Sequence, residues 1–240
     1  MQTALCFDFG NTRLKCAVFH DNELKEAIVL SDDNVTTIED IIHQYKPQKA
    51  ILSSVINHNP QIETVLQKTT DFHKLNADSK INFTTPVGKP ETIGADRLAI
   101  CAAAVDLFPN QHVLAIALGS CITYNYISKF HQFLGGSISP GMYMRFKAMH
   151  EQTALLPLVK PTHNFPLVGY DTATNLQSGV ILGMSKEIDG IIELYNEQYN
   201  DLQVLLTGGD MEFFTPHLRN KLIADPYLLY KGLLALSKVN

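Results

Sequence analysis

The chain has 240 residues, 45% hydrophobic and 18% charged, and its 19 basic and 24 acidic side chains leave a net charge of -5. That length fits one large domain or two small ones sharing a core, with enough apolar surface to fold without disulfide or metal staples. The apolar content excludes intrinsic disorder. The acidic balance without a basic block argues against a nucleic-acid binder, which needs a cationic footprint to meet phosphates.

Residues 4–9 and 14–19 are predicted strands joined by the turn Gly10-Asn11-Thr12-Arg13, and residues 20–23 turn the chain into a third strand, 24–30. Thr36-Thr37-Ile38-Glu39 has the pattern of a capping box, and Ile38, Ile41, Ile42 and Tyr45 follow at helical spacing. Residues 50–55 return to strand, and Pro60 opens a helix through Ile62, Val65 and Leu66. An Ala-rich helix over 95–108 follows, expected to bridge the two halves of the chain.

The second half begins in the same way, with strands over 112–118 and 122–127 around the turn Gly119-Ser120-Cys121, then a further extended piece at 132–134. A shift of 109 positions carries Gly10 onto Gly119 and the Asp21–Asn22 turn onto Phe130–His131. Helices are expected over 142–152, 172–195 and 226–239, with a buried strand at 203–206 stopped by Thr207-Gly208-Gly209. Two similar α/β domains are therefore expected, residues 1–108 and 109–240, with a cleft between them as the ligand site.

The four cysteines, Cys6, Cys16, Cys101 and Cys121, form no C-x-x-C pair and sit among apolar neighbours, as reduced thiols of a cytoplasmic protein do. The first residues lack the basic and apolar regions of a signal peptide. Residues 107–128 carry no formal charge, but Pro109, Asn110, Gln111, His112 and Asn125 interrupt them, so no membrane span is expected. The histidines show no metal-ligand spacing, and no serine-hydrolase elbow, Walker loop or G-x-G-x-x-G is present.

Four constellations can carry chemistry. In Asp8-Phe9-Gly10-Asn11-Thr12 a carboxylate ends an apolar strand before a glycine turn. Asp8 suits Mg²⁺ held through water, the turn N–H groups suit phosphate oxygens, and Lys15 supplies a point charge. A plain hairpin would use the same residues, but the repeat-mate of Asp8 is Ala117, so the fold does not require an acid there. In Gly94-Ala95-Asp96-Arg97 the acid reads either as a helix-dipole partner or as a general base toward an alcohol, with Arg97 and the loop N–H groups holding an anion. Gly135-Gly136-Ser137-Ile138-Ser139-Pro140-Gly141 reads as a glycine loop before a helix, and Thr207-Gly208-Gly209 as bare backbone for a nucleoside face.

In this order, these elements, with Gly119-Ser120-Cys121-Ile122-Thr123, resemble the type III pantothenate kinases of the acetate kinase/sugar kinase/Hsp70/actin superfamily. The resemblance implies an α/β protein of two ribonuclease H-like domains with a central cleft, the actin-like ATPase fold. It also implies ATP-dependent phosphorylation of pantothenate, Mg²⁺ with ATP, a K⁺ or NH₄⁺ site, and a homodimer. Carried over by position, Asp8, Phe9, Gly10, Asn11, Thr12, Arg13, Leu14, Lys15 and Ser120 contact ATP, with Asp8 also near Mg²⁺. Val87, Gly94, Ala95, Asp96, Arg97 and Thr172 hold pantothenate, and Asp96 takes the proton of its primary hydroxyl.

Two positions depart from that family pattern. Ala117 stands where the family has the aspartate of the monovalent-cation site, and a methyl cannot ligate a cation. Val87 stands where a tyrosine is usual, which implies a reshaped pantothenate pocket. The alternative from another class is a nucleotide-binding accessory or regulatory protein of this superfamily without turnover. A phosphatase or another kinase on the same scaffold is a third.

Overall fold

The computed structural model describes residues 2–86 and 92–240, so Val87 lies outside the described residues. In the first half, β1 (Thr3–Phe9), β2 (Leu14–His20) and β3 (Glu23–Val29) form an antiparallel meander. Asp21 and Asn22, at φ 46 and 71, make the β2–β3 turn, the conformation Asn and Asp tolerate best after Gly. β4 (Lys49–Ser54) and β5 (Asp71–Lys74) add parallel to β1, giving the order β3-β2-β1-β4-β5.

Strand alternation then sorts the side chains. Leu5, Phe7 and Phe9 pack with Ile38 and Ile41 of α1 (Val35–Tyr45) and with Ile62 and Leu66 of α2 (Gln61–Thr69). The alternate face of β1, with Ala4, Cys6 and Asp8, takes α3 (Ala95–Leu107) and α7 (Leu228–Ser237), which pack on each other and on the sheet.

The second half repeats the plan. β6 (Val113–Leu118), β7 (Cys121–Ser128), β8 (Gln132–Pro140), β9 (Gln203–Thr207) and β10 (Ile223–Ala224) lie in the order β10-β9-β6-β7-β8. Counted from its own first strand, this is the order of the first sheet, so the internal repeat seen in the sequence is a repeat of topology. α4 (Met142–Glu151) and α5 (Thr172–Gln198) bury Phe146, Val180, Met184 and Ile188 against Leu114, Ile116 and Leu118; a short α6 (Met211–Phe214) adds Phe214.

Two compact units result: Met1–Asn110 with Phe130–Leu134 and Tyr227–Asn240, and Gln111–Lys129 with Gly135–Pro226. The last helix, placed by sequence with the second half, thus packs with the first, and α3 belongs to that unit too. The reason is local. α7 is buried over most of its surface, and at Gly232 a Cβ would stand 1.7 Å from the Ala99 carbonyl oxygen, so only glycine permits this close crossing of α3.

Other local expectations also change. The capping box at Thr36 does not form, because the helix starts two residues earlier than that pattern requires and Asn34 is the N-cap, without a side-chain bond. Asp32 instead accepts from Thr37 Oγ1 at 2.7 Å and from the Asn34 N–H at 3.0 Å. A reciprocal capping box does form at Asp171 and Thr174, ahead of α5. Residues 135–140, expected as loop, belong to β8, with Gly135 and Gly136 at φ 103 and 152.

Candidate active site

Asp8 is half-buried near the end of β1 and lies opposite Lys15 across the hairpin. The turn between them closes with the Gly10 N–H donating to the Arg13 carbonyl at 3.2 Å, while Asn11, Thr12 and Arg13 stay exposed. Gly10 to Leu14 form one wall of an open cavity of about 390 Å³, completed by Ser31, Asp33 and Ile56 among others. Burial pushes the Asp8 carboxyl up to about 6; Lys15 opposes the shift and Asp96 adds to it. Asp96 is therefore close enough for its charge to be felt at Asp8, and one unit carries both acids that the sequence singled out.

Asp96 lies in the first turn of α3, whose N-cap Gly94 provides no side-chain bond to the first N–H groups. The helix dipole favours an anion at this end of α3. A Cβ on Gly94 would stand 2.5 Å from Asp96 Oδ1, so the bare glycine leaves the carboxylate room to lie back over the turn. The Arg97 guanidinium lies 5.4 Å from the centroid of the Phe133 ring, a cation–π contact that orients it. Phe133 is held in turn by an edge contact with Phe83 and by backbone pairing of Thr84 with the 131–133 segment. Sequence reading missed Phe133, whose role depends on a segment remote in the chain.

Ser120 and Thr172 belong to the second unit. Ser120 is exposed in the two-residue turn between β6 and β7, and its carbonyl accepts from the Gly141 N–H at 3.1 Å. Thr172 is the exposed first residue of α5, directly after the Asp171 cap. Ala117 pairs with Thr123 on one side and Thr207 on the other.

Among the described residues no group of three His, Cys, Asp or Glu side chains could cage a metal. Mg²⁺ does not need one, since it usually keeps several waters and binds through one or two carboxylates plus substrate phosphates. Asp8 beside an open glycine turn fits that requirement. No described helix is long and apolar enough to cross a membrane.

Two mixed sheets of one strand order, each flanked by helices, give the actin-like ATPase fold. A glucokinase from an Antarctic psychrotroph has this fold with a TM-score of 0.53 over the full length of both chains, at 9% identity. A conserved Baf-family protein from Campylobacter jejuni, described as a transcriptional activator, matches 98% of this chain and 97% of its own at a TM-score of 0.59 and 23% identity. Residues 4–194 match the type III pantothenate kinase family. Type III pantothenate kinases of Christiangramia forsetii and Bacteroides fragilis are 38% and 37% identical over 231 and 230 residues, each alignment covering 95% of both chains. The chain belongs to the type III pantothenate kinases.

Proposed function

We propose that the protein transfers the γ-phosphoryl group of ATP to the primary hydroxyl of pantothenate, the first step of coenzyme A synthesis, with Asp96 as general base. The observation that carries this reading is that one unit holds both Asp8, beside a glycine turn, and Asp96, in the first turn of α3, close enough for the charge of one to be felt at the other. Phosphoryl transfer asks the protein mainly to position groups and neutralise charge. Asp8 orients hydrated Mg²⁺, and the turn N–H groups and Lys15 meet the phosphate oxygens. When bound, Mg²⁺ neutralises charge on the phosphates as it moves to the leaving group. Asp96 orients the hydroxyl and takes its proton as the new O–P bond forms and the bond to ADP breaks. Arg97, steadied on Phe133, and the N–H groups of the first α3 turn hold the carboxylate of pantothenate.

The contacts of Phe9 and Ser120 with ATP, and of Ala95 and Thr172 with pantothenate, are part of the same reading. So is a homodimer in the cytoplasm. Exposed Tyr143 on α4 and exposed Leu155, Leu167 and Tyr170 after it supply an apolar surface on the second unit, and the four cysteines are free. A regulator without turnover would have no use for both acids. The test is an ADP-release assay with pantothenate against a panel of small alcohols. Release stimulated by pantothenate alone supports the reading, and release indifferent to the acceptor overturns it.

A further inference from the structure

Ser54 at the end of β4, His58 after it and Glu63 on α2 form a relay that the proposed chemistry does not use. Ser54 Oγ lies 3.0 Å from the Ile56 carbonyl oxygen and 2.9 Å from His58 Nδ1, and His58 Nε2 lies 3.0 Å from Glu63 Oε1. Lys74 Nζ donates to the same carboxylate oxygen at 2.7 Å. The His58 side chain is 4% exposed, its ring edge-on to Phe9 with 5.2 Å between centroids.

The relay's proton count decides what it can do. Its two ends, the Ile56 carbonyl and the Glu63 carboxylate, can only accept. Burial opposes ionisation of Glu63, but Lys74 and His58 hold its carboxyl below the usual range. Making all three bonds requires Ser54 to donate to Ile56, Nδ1–H to donate to Ser54 and Nε2–H to donate to Glu63. That is a doubly protonated ring. A neutral ring has one proton fewer, and Glu63 keeps the remaining one on Nε2, because a bare nitrogen would be repelled by the carboxylate. Nδ1 then becomes an acceptor, and Ser54 turns its only proton from Ile56 to His58.

The corner closed by the Ser54–Ile56 bond adjoins the first hairpin turn. The Val55 N–H donates to the carbonyl of Phe9, the residue before Gly10, at 3.1 Å. Ile56 lines the open cavity whose other wall is Gly10 to Leu14. The charges around the ring are Glu63 on α2, Lys74 on β5 and Asp33 ahead of α1, whose carboxylate accepts from the Asn59 N–H at 3.0 Å; β1 presents the Phe9 ring.

We propose that His58 is a proton-linked positioning residue for the Gly10 turn: the charged ring frees Ser54 to tie down the Ile56 corner, and the neutral ring releases it. The inference rests on the reading of that turn as the ATP phosphate site. Phosphates meet a fixed wall while His58 is charged and a looser one once it is neutral, so nucleotide binding weakens as the ring loses its proton.

The test follows the ionisation of His58 by NMR of protein carrying ¹⁵N in its histidine rings, with calorimetric titration of Mg–ADP over the same pH range. Affinity is expected to fall about fivefold, the scale of one hydrogen bond, with a midpoint that coincides with the His58 midpoint. Asp8 acts in the opposite sense, since its carboxyl gains charge as pH rises through about 6, and the variants leave it in place. Ser54→Ala should bind at every pH as the wild type does with His58 neutral, and Ser54→Thr should restore the pH dependence. If the alanine variant does not fold, Glu63→Gln, which removes the carboxylate facing the ring, should move both midpoints together to lower pH. An affinity that ignores the His58 ionisation overturns the proposal, as does wild-type behaviour of Ser54→Ala or movement of one midpoint without the other. Asp8→Asn separates the two layers. Mg–ADP affinity unaltered by it removes the reading of the turn; affinity lowered by it but constant across the His58 ionisation removes only the role of His58.

Discussion

The two sheets have one strand order but carry different rows at the same place. In the first sheet the row is Lys15, Asp8, Ser53; in the second it is Thr123, Ala117, Thr207. The turn beside the first row spans Gly10 to Arg13, whereas the second is only Gly119 and Ser120. The comparison separates what the topology needs from what the chemistry needs. A small neutral side chain completes the second sheet, so the half-buried carboxylate of the first serves no requirement of packing. Desolvating a charge is unfavourable, and the role in phosphate and metal handling proposed for Asp8 accounts for its presence in one copy only.

The comparison is broken most severely at the second acid of the first unit. Asp96→Asn is expected to lower kcat by about 10²–10⁴-fold, the usual contribution of a positioned base, with an unchanged melting curve. Near-native turnover would remove Asp96 from the mechanism. Making the first row resemble the second comes next. Asp8→Asn should lower kcat/KM for Mg–ATP by about 10–100-fold, as loss of a metal-positioning group does, and affect pantothenate far less. Saturation curves for the two substrates check this, and an equal effect on both counts against the assignment.

Gly232→Ala tests whether α7 is integral to the first unit. Its methyl would enter the Ala99 backbone, and overpacking of this kind costs about 1–3 kcal/mol, visible as a lower Tm. A smaller effect follows from the Asp8 carboxyl itself. Because its pKa in the fold, about 6, lies above the ordinary 3.8, the fold binds its proton more tightly than the unfolded chain does. That contribution to stability is complete below about pH 4 and is lost as pH rises through 6. Asp8→Asn should therefore raise the Tm of the ligand-free protein at pH 8 by roughly 2–5 °C. The gain should shrink at pH 4, and a gain independent of pH would show that burial of the charge is not its cause.

The smallest expected effect concerns Ala117. With a methyl at Ala117, where the resemblance implies an aspartate, rates in Na⁺ should lie close to those in K⁺ across a titration at fixed ionic strength. Sharp, saturable activation at low K⁺ would mean that dipoles such as the flanking Thr123 and Thr207 hydroxyls rebuild a cation site.

The sequence by itself determined the strands of both hairpins, the glycine turns and the acids, because these depend on side-chain period and local turn chemistry. Asp8, Lys15, Asp96 and Arg97 were legible for that reason, and the shift of 109 positions already exposed the duplicated plan. β5 and β10 were not legible, since four and two residues carry too little alternation to be read against their surroundings. The loop expected at Gly135 is part of β8 instead, because strand pairing overrode glycine's local preference for turns. Only tertiary structure could bring Phe133 beneath Arg97, draw the last helix back onto α3 at Gly232, and set Ser53 beside Asp8. Each of these depends on the register and close approach of segments far apart in the chain, which local pattern does not encode.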